Sequence, residues 1–301
     1  MFPTLLRRSA CSASASTASA NLAPVRWTYL PRPLPYAHGL LLQESLVQAR
    51  LNAKAALQQQ VSPSSSSDLD SLRRVAETDL VLLLEHTPVY TAGKREKDPV
   101  QAERERARLG QIGADYVQTS RGGQTTYHGP GQLVGYPLMD IGAAKLSTRC
   151  YVDKLEKFLE NLVKSFDVPV HPLEHTGVFV SETSKIASIG VQIRRRITMH
   201  GFSINVERQT RRWFDQIVAC GLADVTSTSV EAELERLGKA KPDARTVVRD
   251  AVPKAVELLG KQYGREMRQL DDGDEFVEAR RMIRDGLEGR LPPMQREMKG
   301  V

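Results

Sequence analysis

The segment Arg121-Gly122-Gly123-Gln124-Thr125-Thr126-Tyr127-His128-Gly129-Pro130-Gly131-Gln132 is the most unusual stretch of this chain. Its four glycines permit positive φ and let a ligand approach the backbone closely. It lacks the Gly-Lys-Ser/Thr of a Walker phosphate loop and the Gly-x-Gly-x-x-Gly of a dinucleotide site, and composition alone also allows a tight glycine-rich hairpin. The three cysteines, Cys11, Cys150 and Cys220, are too few and too scattered for a disulfide scaffold or a four-ligand zinc site, so each is weighed as a thiol in a reducing compartment. Taken singly, Cys220 reads as a buried structural thiol, Cys150 as a packing thiol and Lys185 as a surface lysine. His171 and His175 have the i, i+4 spacing of a metal pair, but Pro172 spoils a shared helical face, and no metal is expected.

The elements that must position these residues follow from periodicity. Ala37–Leu57 is helix-prone and proline-free; Val152, Leu155, Leu159, Leu162 and Phe166 give Thr148–Phe166 one apolar face, with Ser147 or Thr148 as its cap. Leu80–Glu85, Asp115–Thr119, Gln132–Asp140, Gly177–Val180, Lys185–Ile193 and Thr198–Val206 read as strands, and Ser229–Leu237 and Lys254–Tyr263 as helices. Residues 58–70, with their serine run, read as an exposed insertion loop. Strands and helices mix without regular βαβ alternation, which predicts an α/β fold with a mixed, largely antiparallel sheet flanked by helices. The expected organisation is a targeting segment and disordered N-terminus over 1–25, a catalytic domain over 26–265, and a charged C-terminal extension, a surface helix or tail, over 266–301.

Length and composition are globular: 301 residues, 41% hydrophobic and 26% charged, with no run near the ~20 apolar residues of a membrane span. Of the net charge of +6, +4 lies before Glu44 (Arg7, Arg8, Arg26 and Arg32), so the body is almost neutral and lacks the footprint of a nucleic-acid binder. Met1–Ala23 holds Arg7, Arg8, five serines, six alanines and no acid, the composition of a mitochondrial transit peptide.

The glycine-rich segment, with Glu85-His86-Thr87-Pro88-Val89-Tyr90-Thr91-x-Gly93 upstream, closely resembles the lipoate-biosynthetic octanoyltransferases, also called lipoyl(octanoyl) transferases. The resemblance continues through Lys185-Ile186-Ala187-Ser188-Ile189-Gly190, His200-Gly201-Phe202-Ser203-Ile204-Asn205-Val206 and Ala219-Cys220-Gly221, spanning about Glu85–Ser229. It implies the fold of the biotin and lipoate protein ligases. It also implies transfer of an octanoyl group from octanoyl-acyl carrier protein to a lysine of lipoate-dependent proteins: the lipoyl domains of 2-oxoacid dehydrogenases and the glycine cleavage H protein. No cofactor is implied, because a thioester donor is already activated. Carried over residue by residue, the resemblance makes Cys220 the nucleophile and Lys185 its catalytic partner. It assigns acyl binding to Arg121, Gly122, Gly123, Gln124, Thr125, Thr126, Tyr127, His128, Ser188, Ile189, Gly190, Gly201, Phe202 and Ser203. His128 is expected to support a polar network or to share proton transfer.

Ala219 stands where the family usually has proline, and Ser203 where alanine is common. Two other readings compete: an ATP-dependent lipoate–protein ligase of the same fold, which would not need Cys220, and a non-catalytic acyl-protein binding module. Arg194-Arg195-Arg196 reads either as a solvated loop or as a docking patch for the acidic carrier protein.

Overall fold

The computed structural model describes residues 22–59, 66–217, 224–239, 247–270 and 276–292. The chain enters through β1 (Val25–Leu34) and α1 (Tyr36–Gln58), then α2 (Ser66–Glu77), β2 (Leu80–His86), β3 (Val89–Ala92), α3 (Pro99–Gly110), β4 (Asp115–Gln118), β5 (Thr126–His128) and β6 (Gln132–Leu138). Next come α4 (Thr148–Lys164), β7 (Val178–Phe179), β8 (Ser184–Arg194), β9 (Ile197–Asn205) and, after a 3-10 turn, α5 (Arg211–Phe214). The last elements are β10 (Thr226–Ser227), α6 (Val230–Arg236), α7 (Val248–Tyr263), β11 (Met267–Gln269) and α8 (Val277–Leu287). Among these residues the main sheet has eight strands in the order β10-β8-β9-β6-β2-β1-β11, with β7 on β8, and a second sheet runs β4-β3-β5. The β2–β6, β6–β9, β8–β9 and β7–β8 pairs are antiparallel, whereas β1–β2, β1–β11 and β8–β10 are parallel.

Leu80-Val81-Leu82-Leu83-Leu84 is apolar at every position because β2 is covered on both faces. Val81 and Leu83 pack with Leu155, Phe158 and Leu159 of α4 and Ala251, Ala255 and Leu259 of α7. Leu80, Leu82 and Leu84 pack with Leu42, Val47 and Leu51 of α1 and Ile283 of α8. That is period-two alternation in a strand buried between two helical layers. As expected from its apolar face, α4 is helical, and Ser147 caps it by accepting the Cys150 N–H.

Three sequence expectations change. Ser66–Asp70, expected as the end of an exposed loop, forms the start of α2, with Asp68 in its first turn; residues 60–65 lie outside the described residues. The charged stretch after Arg265 begins with an edge strand: β11 joins the main sheet beside β1, pairing Met267 with Val25, before the expected surface helix appears as α8. Helix α3 was not expected; Asp98 caps it by accepting the Val100 and Gln101 N–H groups. The N-terminal segment 1–21, read as a targeting peptide, lies outside the described residues.

The distal end of the sheet is tied by a buried charge cluster. Asp79 accepts from Arg50 Nη1 at 2.7 Å and from the Asp140 N–H at 2.8 Å, and its second oxygen pairs with Arg265. Two buried guanidinium groups thus share one carboxylate, joining α1, the sheet and the end of α7. Removing a partner from such a buried cluster strands charge in a low-dielectric interior. Asp79→Ala is expected to lower the unfolding free energy by about 3–5 kcal/mol in denaturant titrations, and a loss under about 1 kcal/mol would show that the cluster is solvated.

Candidate active site

A cleft of about 630 Å³ lies against the β8–β9 hairpin. Two sequence blocks expected in the acyl site are cross-strand partners there: Ser188 opposes Ser203, Ile189 opposes Phe202 and Gly190 opposes Gly201. All six line the cleft, with Lys185, Arg121, Gly122, Gly123, Gln124, Thr126 and His128. Thr125 and Tyr127 do not. Residues 126 and 128 of β5 face the cleft, so strand alternation sends their odd neighbours to the other side. The Tyr127 ring stacks on Trp213 at 5.4 Å and meets Tyr90 and Phe214, filling a separate core cluster. Thr125 hydrogen-bonds toward Tyr116.

Lys185 is the second residue of β8 and is only 8% exposed. Its Nζ donates to the Thr176 carbonyl at 3.0 Å and lies 5.2 Å from the Phe179 ring centroid, so a carbonyl dipole and a ring face both stabilise the ammonium. Gly177 is required here: its φ is +118°, and a Cβ would fall 2.6 Å from Lys185 Cε. Glu156 of α4 fixes that turn by accepting the Gly177 N–H at 3.0 Å. On the other side β10 runs parallel to β8, with Ser227 in register with Lys185 and the Thr228 N–H donating to the Lys185 carbonyl. Cys220, with Ala219 and Gly221, lies outside the described residues.

The glycine-rich segment is folded by its own arginine. Buried Arg121 donates to Thr91 Oγ1 at 2.8 Å, to the Gly122 carbonyl at 3.0 Å and to the Gln124 carbonyl at 2.9 Å. The Gly122 N–H reaches the Val191 carbonyl at 3.0 Å, which docks the loop on β8. Close crossing requires Gly93, whose Cβ would stand 2.2 Å from the Gly123 carbonyl oxygen.

His128 Nδ1 hydrogen-bonds Gln132 Oε1 at 2.7 Å; Gln132 Nε2 donates to Asn205 Oδ1 at 2.8 Å, and Asn205 Nδ2 donates to Ser227 Oγ at 2.8 Å. This chain joins the glycine-rich segment to the strand beside Lys185. His200, Tyr36 and Tyr136 also line the cleft, a contribution sequence reasoning did not assign. His200 sits at φ +56°, with Nδ1 3.4 Å from Tyr36 Oη. Behind them His86 bonds the Leu34 carbonyl and Tyr136 Oη.

Burial pushes His86 down to about 4, and His128 and His200 to about 3, with a neighbouring imidazole adding to the effect on His128 and the Arg121 guanidinium to that on His200. Thiol activation is therefore not expected from an imidazolium at neutral pH.

Cys150 sits half-buried at the exposed start of α4. Arg195 and Arg196 form the β8–β9 turn at positive φ, Arg194 donates to Gln48 Oε1 and Arg196 to the Leu146 carbonyl. His175 lines the cleft, but among the described residues no group of three or more His, Cys, Asp or Glu is placed to hold a metal. No described helix is long and apolar enough to cross a membrane.

The lipoyl protein ligase A/B catalytic domain model matches residues 51–252. The chain belongs to that family. A mitochondrial octanoyl-[acyl-carrier-protein]:protein N-octanoyltransferase of Danio rerio is 40% identical over 195 residues, covering 65% of this chain and 81% of the relative. A mitochondrial octanoyltransferase of Kluyveromyces lactis is 30% identical over 287 residues, covering 82% and 84%. These coverages put the chain among the octanoyltransferases, which are acyltransferases. Among solved structures, lipoate-protein ligase A bound with ATP matches with TM-score 0.58 at 10% identity, covering 88% of this chain and 95% of that one, which shows the shared fold. The octanoyltransferase cleft thus sits on the ligase-type sheet, over the β8–β9 hairpin.

The neutral imidazoles have a measurable consequence. In the unfolded chain each histidine takes up a proton as pH falls through about 6.5, while the buried folded forms resist until about pH 4–3. Stability is therefore lost as pH drops across that window and levels off below it. Ring resonances of His86, His128 and His200 in NMR titrations are expected to stay constant from pH 8 to about 5; an inflection near 6.5 in any of them would contradict the burial argument.

Proposed function

We propose that this octanoyltransferase carries an octanoyl group from octanoyl-acyl carrier protein to a lysine of lipoyl-domain proteins, through a thioester on Cys220. The observation that carries the reading is the buried Lys185 ammonium at one end of an acyl-sized cleft, with Ser227, seven residues beyond Cys220, as its register partner.

Cys220 Sγ attacks the donor thioester carbonyl, the carrier's thiolate leaves, and an enzyme thioester forms at nearly constant free energy. The acceptor lysine amine then attacks that thioester, expelling the Cys220 thiolate and forming an amide. Lys185 as an ammonium favours the Cys220 thiolate and gives its proton to the leaving carrier thiolate; as the resulting amine it takes the proton from the attacking substrate lysine, which restores the ammonium beside the expelled Cys220 thiolate. Main-chain N–H groups of the glycine-bearing loops are the available donors for the developing oxyanion. The acceptors proposed are the lipoyl domains of 2-oxoacid dehydrogenases and the glycine cleavage H protein. Arg95 at the cleft mouth, with exposed Lys94 and Lys97 beside it, offers positive charge to an acidic carrier. The acid-free, Arg- and Ser-bearing segment 1–25, together with relatives named mitochondrial, supports a mitochondrial site of action.

The test is ATP-free. Incubated with octanoyl carrier protein alone, the enzyme is expected to gain one hydroxylamine-labile octanoyl adduct by intact mass, and to pass it on when an apo-lipoyl domain is added. Cys220→Ala abolishes the adduct, while Cys150→Ser keeps it. An adduct surviving Cys220→Ala places the nucleophile elsewhere, and transfer that requires ATP returns the chain to ligase chemistry.

A further inference from the structure

On the face of the sheet that carries α1, helices α2 and α8 both pack on α1 and leave a hollow between them. A cavity of about 500 Å³ lies there, at the opposite end of the sheet from the Lys185 cleft, and a second hollow along α1 continues it through Ala49, Val75 and Met282. Its size is that of a small-molecule site, typically about 300–1,000 Å³. Leu46, Val47, Val75, Leu80, Leu138 and Met282 make its walls apolar.

Its charge is one-sided. Arg26, Arg50, Arg74 and Arg281 line it against one acid, Glu278. Arg74 and Arg281 stand exposed at the rim, and the Arg26 guanidinium lies 4.5 Å from the Phe276 ring centroid. Arg50 forms part of the inner wall, and it shares the Asp79 carboxylate with Arg265. Buried Asp140, whose N–H donates to Asp79 and whose carboxylate lies within electrostatic reach of Arg50, sets two carboxylates against those two guanidinium groups, so the cavity's excess positive charge rests on Arg26, Arg74 and Arg281 against Glu278.

We propose that this cavity binds a free fatty acid, its alkyl chain along the α1 wall and its carboxylate on the arginines. Apolar walls disfavour inorganic phosphate or a nucleotide, and the arginines disfavour a neutral lipid or alcohol. The site is separate from the cleft, and the proposal holds whether or not the cleft transfers acyl groups.

Photolabelling of the full chain tests it, with a dodecanoic acid carrying a diazirine near its methyl end and peptide mapping of the adducts. Labelling is expected within Leu46–Arg50 and Ala279–Met282, with protection by dodecanoate at least about tenfold more effective than by dodecanol, the factor that about 1.4 kcal/mol of charge recognition supplies. Arg74→Glu with Arg281→Glu should weaken dodecanoate protection by a similar factor. Met282→Trp and, independently, Ala49→Phe fill the cavity and should remove these adducts while a cooperative thermal transition shows the variants folded. Labelling confined to the Ser188–Ser203 hairpin, adducts that persist in both filled variants, or equal protection by dodecanol would overturn the proposal.

Discussion

A lysine ammonium that is nine-tenths removed from water must find compensation from the protein, and the surroundings of Lys185 are arranged to supply it. The Thr176 carbonyl accepts its proton, the Phe179 ring faces it, and Gly177 leaves the space its Cε occupies. Thr176 and Gly177 belong to one turn that leads into Phe179 of β7 and is pinned by Glu156 from α4, so the helix with the clearest amphipathic pattern also fixes the charge at the cleft. Parallel pairing of β10 with the start of β8 then returns the chain to Lys185 shortly after Cys220. Charge, turn and strand register are one constraint, and the proposed thioester chemistry depends on it.

The imidazoles in and behind the cleft are kept uncharged. Three imidazoles are buried as neutral groups in hydrogen bonds to Gln132, Tyr136, Tyr36 and the Leu34 carbonyl, and Arg121 is occupied with the loop that carries it. Such a network rigidifies the walls without supplying a competing acid near neutral pH.

Much of this was legible in the sequence where side chains carry the pattern. The apolar face of α4, the doubly buried β2 and the strands β8 and β9 all announced themselves, and the family blocks pointed to the cleft-lining residues. Helix α3 did not, because only Leu109 of its residues is buried and charged residues fill much of the rest, leaving no apolar stripe to read. Strand β11 was silent for a similar reason: an edge strand needs only backbone partners, and its side chains stay half-buried or exposed. Lys254–Tyr263 was expected as the helix, yet α7 begins at Val248 and carries Pro253 inside it. Thr125 and Tyr127 lie off the cleft, since a block carried over whole does not register strand alternation. Tyr36, Tyr136 and His200 reach the cleft from distant points of the chain, a tertiary fact that no local pattern encodes.

The most direct measurement of the account is the pH dependence of alkylation at the Cys220 peptide, compared between the wild-type chain and Lys185→Met, which removes the charge and keeps much of the stem. If the ammonium holds the thiolate, the inflection moves up toward the free-thiol value of about 8.5 and neutral-pH alkylation slows, while octanoyl transfer falls by about 10²–10⁴. An inflection at the same pH in both proteins would contradict thiolate activation by Lys185.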